Sequence, residues 1–258
     1  MKSMNIREYA AVIPRALKGL VLLSCLAALA LSSVAMAEEG AQTKIFPPDG
    51  KTYGKTYGEL AGAWWDWAVN QPPDMNPILD ETGAFAHVGQ DEDYGQGGQI
   101  FFLAGNFGGT TVRQCSVPAG KALFFPVMNG LWIAPEEGDN ESCRQAVNEF
   151  LGFPAQIACS IDGVPVADLR AYRAQSPPGG SPFHIRAGGL LESLAPDFYV
   201  PRGYLPGTVA DGYWLLVKLG PGKQHVIQFS GQSANEEFPF ELDVTYLLTV
   251  EGNADDAE

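Results

Sequence analysis

"DGYWLLVKLGPGKQHVIQFSGQSANEEFPFELDVTYLLTV", residues 211–250, decides the fold class. Three runs rich in β-branched and aromatic residues, GYWLLVKL, KQHVIQFSG and FELDVTYLLTV, read as strands. GPGK makes the turn between the first two, because Gly and Pro supply turn conformations that other residues resist. In the third run Leu242, Val244, Tyr246 and Leu248 fall on one side. A period of two marks a strand with one face on a core.

The same texture extends backwards. QIFFLAGNF, TTVRQCSVP and KALFFPVMN are short β-rich runs divided by GG and PAG. AQIACSIDGVPV reads as a hairpin, with Asp162-Gly163 as its type I′ turn. ESCRQAVNEFLG reads as a short helix, capped by Asp139 or Asn140 and ended at Gly152. Residues 171–210 are loop-rich, and so is NPILDETGAFAHVGQDEDYGQGG. Many short strands and few helices predict a mainly β chain: an antiparallel β-sandwich of jelly-roll or immunoglobulin-like type.

One segment departs from that pattern. In YGELAGAWWDWAVNQPP, residues 57–73, the positions Tyr57, Leu60, Ala61, Trp64 and Ala68 recur at helical steps. They predict a helix near 57–69, stopped by NQPP because a residue before proline is pushed out of the helical region. Trp64 lies on the core stripe with Tyr57, Leu60 and Ala68, whereas Trp65 falls on the flank towards Ala61.

The first 37 residues read as a cleaved signal peptide. Lys2, Arg7, Arg15 and Lys18 precede the apolar run GLVLLSCLAALALSSVA, and Ala35-Met36-Ala37 fits small-x-small cleavage. No twin arginine is present, so the expected route is Sec, to the periplasm or the outside. The mature chain then runs from Glu38, with one sandwich domain over 38–250 and a disordered acidic tail over 251–258. Lys2, Arg7, Arg15 and Lys18 against Glu8 give the leader +3, so the remainder carries −17 against −14 for the whole chain. Such acidity with no basic patch excludes nucleic acid and anionic membrane surfaces as partners, and no membrane association is expected after cleavage.

Export implies an oxidising compartment, where disulfides form. Of Cys115, Cys143 and Cys159, the last two are nearest in sequence and flank the helix-to-strand turn, so Cys143–Cys159 is the expected pair and Cys115–Cys143 the alternative. No Cys/His spacing fits a zinc site.

The sequence carries no catalytic signature. G-x-S-x-G is absent, and nothing pairs His87, His184 or His225 with a nucleophile. The glycine-rich pieces GNFGG and GQGG lack a following G-K-[ST]. Asp91, Glu92, Asp93 and Gly95, and Glu136, Glu137, Asp139, Asn140 and Glu141, offer oxygens to calcium but match no EF-hand register. No cofactor is expected.

YGELAGAWWDWA, NPILDETG, IFFLAGNFGG, RQCSVPAGKALFFPVMN and DGYWLLVKLGPGKQHVIQFSG together resemble a family of exported bacterial proteins known only as uncharacterised. The resemblance spans most of the mature chain through a WWxWA helix and a VPAGKALFFPVxN segment, and it implies no activity to transfer. Such sequences often place a cysteine between TG and GQ, where this chain reads AFAHV. The resemblance thus implies that a partner for Cys115 is missing here.

Three functional readings follow. The first is a non-enzymatic exported sandwich that binds a glycan or envelope component through Trp65, Asp66 and Trp67, with Asn129 emerging just past a core strand. Exposed rings suit sugar stacking, and sandwich loops suit recognition. The second is a carbohydrate-active hydrolase or lyase using Asp or Glu, with Asp66 as its foremost carboxylate because neighbouring indoles raise its pKa. The third is a structural or assembly protein of the envelope or extracellular matrix, in which the tryptophans are core.

Overall fold

The structure, a computed structural model, describes residues 43–90, 98–133, 140–152, 156–177, 183–194, 203–204, 207–221, 224–233 and 239–251. Residues 1–37, where a leader is expected, the tail beyond 251 and the acidic stretches 91–97 and 134–139 lie outside the described residues.

In chain order the elements are β1 (Lys44–Ile45), α1 (Tyr57–Asn70), β2 (Ile100–Phe102), β3 (Gly109–Val117), β4 (Ala122–Trp132), α2 (Asn140–Leu151), β5 (Gln156–Ile161) and β6 (Val164–Pro165). They continue with β7 (Arg173–Gln175), β8 (His184–Ile185), α3 (Leu190–Leu194), β9 (Gly203–Tyr204), β10 (Val209–Lys218), β11 (Gln224–Gln232) and β12 (Glu241–Val250). Two five-stranded sheets pack as a sandwich. The first has the order β1-β10-β4-β2, with β7 also on β10, and the second is β3-β12-β11-β5-β6. The pairings are antiparallel except for β2 with β4 and β3 with β12, which are parallel.

The two sheets carry different sequence textures for a physical reason. Strand β10 turns Tyr213, Leu215 and Val217 to the core between the sheets, and Trp214 and Leu216 to the opposite side, under α1. Both faces are therefore covered, and the strand reads as a nearly unbroken apolar run. Strands β11 and β12 bury only alternate residues, so they alternate in sequence as well. In β4 the register slips between Tyr213 and Trp214 of its partner, so Pro126 and Met128 bracket an extra Val127. The strand bulges there and continues to Trp132.

Helix α1 starts with a capping box. The Thr56 hydroxyl accepts from Glu59 N at 3.2 Å, and the Glu59 carboxylate accepts from Thr56 N at 2.7 Å. It ends at Gln71, which is extended before Pro72. Gly58 lies inside the helix because β7 presses on it: a Cβ there would stand 2.3 Å from Gln175 O. Leu60, Ala61, Trp67 and Ala68 have no exposed surface and Trp64 only 1%. Full burial of each large side chain contributes about 1.5–3 kcal/mol.

Long-range order in the 76–90 loop comes from Arg113. Its side chain is buried on β3, with Nε donating to Asp80 O at 2.6 Å and Nη2 to Ile78 O at 3.1 Å. Nη1 donates to Ala104 O, Gly105 O and Tyr246 Oη at 2.8, 3.0 and 2.8 Å. One guanidinium thus ties NPILDETG and LAGN to β3 and β12. The loop's own side-chain amides complete the work. Asn76 bonds Ala68 O and Gln71 O, and Gln90 pairs with both backbone groups of Phe102, sealing the edge of β2.

The expected Cys143–Cys159 disulfide is not formed. None of Cys115, Cys143 and Cys159 is in a disulfide. Cys143 of α2 and Cys159 of β5 both lie within the inter-sheet core, where each acts as a small apolar group. Sequence proximity does not supply the Cβ geometry that a disulfide needs.

Candidate functional site

The residues expected to grip a ligand on α1 lie inside the protein. Trp64, Trp65 and Trp67 are 1%, 9% and 0% exposed. Trp64 sits at the centre, edge-on to Trp65, Trp67 and Trp214 with ring centroids 5.1, 5.8 and 5.5 Å away. The Trp64 indole N–H donates to Leu103 O at 2.9 Å and that of Trp67 to Val88 O at 2.8 Å. Among the described residues that of Trp65 is buried without a partner. The first sheet lies on one side of α1, and β8 and α3 contact it as well. Trp65 belongs to a buried cluster that also holds Phe183, Ile185 and Leu191, from a stretch that reads as loop in the sequence. The helix offers no open ring for a sugar to stack on.

Asp66 is likewise enclosed. Its Oδ1 accepts from His184 N at 2.9 Å and from Asn70 Nδ2 at 3.2 Å. Asn70 in turn donates to His184 O and accepts from Arg186 N at 2.5 and 2.8 Å. The pair behaves as a short strand edge that holds β8 on the helix. Burial raises the Asp66 pKa, and the His184 N–H and the charge of Arg186 offset part of that rise. Asn129 is half-buried on β4 opposite Gly212, and its side-chain N–H₂ is buried without a partner among the described residues. It lies within β4, not in an open loop.

Other polar clusters also serve the fold. Asp211, buried on β10, accepts from Arg173 Nη2 and Nε at 2.7 and 3.3 Å and from Gln175 Nε2 at 3.1 Å. Asp162 accepts from Val226 N at 2.8 Å and lies 2.7 Å from His225 Nδ1, pinning the β5–β6 turn to β11. Among the described residues no group of three or more His, Cys, Asp or Glu side chains is placed to share a metal ion. Of the residues offered to calcium, only Asn140 and Glu141 lie within the described helix α2.

The open surface lies on the other side of the sandwich. The outward side chains of the second sheet line up across strands by register. One row is Val112, Thr245, Gln228, Ser160 and Pro165, taken from β3, β12, β11, β5 and β6. Beside it run Gln114, Leu247 and Val226, then Ser116, Thr249 and Gln224. On the other side run Thr110, Asp243, Ser230 and Ala158, then Glu241, Gln232 and Gln156. Val112 and Leu247 are 56% and 42% exposed and, with Val226, make an aliphatic centre. Amides and hydroxyls surround it, and among the described residues its carboxylates are Asp243 and Glu241 towards one end and Asp162, which accepts from Val226 N, at the other side. The basic residues of these strands, Arg113 and His225, point inward and are buried. Five strands at about 4.8 Å spacing give a platform about 19 Å across. This face was legible in the outward positions TVQS, QVQSQ and QAS, none of them charged, but reading the strands for their core side passes over it.

At the Gln156 corner the face runs into a cleft of about 580 Å³. Ile157, Val166 and Leu169 form its floor against the inter-sheet core, and Gln156, Asp168 and Arg170 stand exposed at its mouth.

No family model, curated protein or solved structure matches the chain. Its fold is a mainly β, two-sheet sandwich with a tryptophan-rich helix, a class compatible with ligand binding. Among the described residues no helix is long and apolar enough to cross a membrane.

Proposed function

We propose that this chain is an exported, non-enzymatic binding protein, and that its ligand is a neutral glycan of the envelope or surroundings laid across the outer face of the second sheet. The observation that carries this reading is the predominance of amide, hydroxyl and aliphatic side chains across that face in a chain of net charge −14. Glutamine, threonine and serine both donate and accept, as sugar hydroxyls do. Covering them desolvates no ion, and the Val112–Leu247–Val226 centre suits the C–H surface of a pyranose. Asp66, the foremost carboxylate for a hydrolase, is committed to His184 N and Asn70, which favours binding over turnover.

The test is retention of the protein, expressed from its full-length chain, on insoluble cellulose, chitin and starch, against an anionic polymer as control. Retention on a neutral polymer, lowered at least tenfold by Gln228→Glu, supports the reading. Absence of retention on every neutral polymer, or retention unchanged by Gln228→Glu, overturns it. The exposed Val112 and Leu247 favour one competitor, self-assembly through the same face. Sizing shows it as oligomers that Leu247→Glu disperses.

A further inference from the structure

We infer that the cleft beside Gln156 is a pocket for one terminal pyranose residue of a neutral saccharide, an inference that rests on the glycan-binding reading of the adjoining face. The cleft is shallow and open, about 580 Å³, so it meets one face and edge of a ring and does not enclose it. The floor is aliphatic: Leu169 is buried, and Ile157 and Val166 are partly so. The mouth carries three different polar groups, the Gln156 amide, the Asp168 carboxylate and the Arg170 guanidinium. A sugar ring presents a C–H surface bordered by hydroxyls. The floor meets the first, a carboxylate accepts from vicinal hydroxyls, and an amide and a guanidinium donate to others.

Asp168 sharpens the assignment. Its backbone is left-handed, φ 52° and ψ 37°, at the start of the 3-10 turn Leu169–Tyr172. Ala171 N bonds Asp168 O at 2.8 Å, while the Asp168 side chain makes no capping bond to the turn it precedes. Glycine would hold this conformation without strain but would bring no carboxylate to the cleft. A strained residue with a spare functional group at the mouth of a cleft is the kind of outlier that marks a site. Gln156 belongs both to the cleft and to the outermost row of the sheet face, so a chain lying on the face can lead its end into the cleft.

The test is isothermal titration of the full chain with cellotetraose, chitotetraose and maltotetraose, alongside retention on the insoluble polymers. Wild type is expected to bind at least one tetrasaccharide. Asp168→Gly should weaken that binding at least tenfold while leaving the melting temperature equal or higher, because the strain is relieved. Arg170→Gln gives a second, independent loss. Tetrasaccharide binding that survives Asp168→Gly, or a wild type that binds none of the three, overturns the cleft assignment. Polymer retention unchanged by Gln228→Glu overturns the face reading instead, so the two failures are distinguishable.

Discussion

Arg113 and Tyr246, side by side on parallel strands and 133 positions apart in sequence, share one buried hydrogen-bond node. The guanidinium carbon stands 5.5 Å from the Tyr246 ring centroid, and Nη1 donates to Tyr246 Oη at 2.8 Å. The same phenol donates to Ala104 O and accepts from Ala104 N, at 2.8 and 3.1 Å. A buried arginine without a carboxylate partner persists because four backbone carbonyls and a phenol take up its donors.

Arg113→Lys is therefore expected to be severe. An ammonium lacks the planar fork that reaches Asp80, Ile78, Ala104 and Gly105 together. The loss should be about 3–5 kcal/mol in urea unfolding, the range for breaking a buried charged network. Tyr246→Phe should cost about 1–3 kcal/mol, since it takes a partner from both Arg113 and Ala104. A smaller loss for Arg113→Lys than for Tyr246→Phe would show that the guanidinium is not the organiser of the 76–90 loop.

Asp66 and Asp80 should respond to acid in opposite senses. Burial holds the folded Asp66 carboxyl above its ordinary 3.8. The folded state then keeps a proton that the unfolded chain releases, so stability falls as pH rises from 3.8 through the folded value. Burial also opposes ionisation of Asp80, but hydrogen bonds from Phe85 N, Thr82 and Gly83 N outweigh it and hold that carboxyl low. Its contribution is complete above 3.8 and is lost as pH falls through the folded value. Urea midpoints from roughly pH 3 to pH 8 should show Asp66→Asn gaining on wild type at neutral pH, with the gain shrinking in acid. Asp80→Asn should lose at neutral pH, with the loss shrinking in acid. An Asp66→Asn difference independent of pH would contradict the assigned direction.

Local signals were legible and cover was not. Asp162-Gly163 announces a turn that needs positive φ at both residues, and both have it, at 53° and 78°. The period of α1 and its proline stop locate the helix to within one residue, and Thr56-x-x-Glu59 already spells its capping box. What the period cannot show is a second cover. Trp65 lies off the core stripe, yet it is buried in a cluster with Phe183, Ile185 and Leu191, while Asn70 and Asp66 hold residues 184–186 on the helix. The parallel pairing of β3 with β12 is equally silent in sequence, since nothing local in TTVRQC distinguishes an inward arginine from an outward one. The cysteine expectation failed for the same reason, because spacing along the chain says little about which way two side chains face.

The thiols should be inert in the folded protein. Burial pushes Cys115 and Cys159 up to about 12, so almost no thiolate is present at neutral pH. A chromogenic disulfide reagent at neutral pH is expected to label Cys115, Cys143 and Cys159 only after unfolding, under non-reducing conditions. Thiols missing after unfolding would mean that a disulfide forms after all. Rapid labelling of the native protein would mean that the cores around Cys143 and Cys159 open easily.

The three helix tryptophans should differ in what their removal costs, and the difference follows from one atom each. Trp64→Phe and Trp67→Phe each strip the indole donor from a carbonyl, Leu103 O and Val88 O. Leaving a buried acceptor unpaired costs about 1–3 kcal/mol, before any loss of packing. Trp65→Phe breaks no such bond, because its N–H is already buried without a partner among the described residues. Removing that donor offsets part of the lost contact with Trp64, so Trp65→Phe should be the mildest of the three in urea unfolding. Acrylamide, a neutral quencher, should reach the helix tryptophans poorly in all folded variants, because even Trp65 is only 9% exposed. If Trp65→Phe destabilised as much as Trp64→Phe, its indole N–H would have to hold a partner, and the closed flank of α1 would have to be redrawn around it. If Trp65→Phe instead removed a strongly quenched component, the ring would be open to solvent, and α1 would return as a surface on which a glycan can stack.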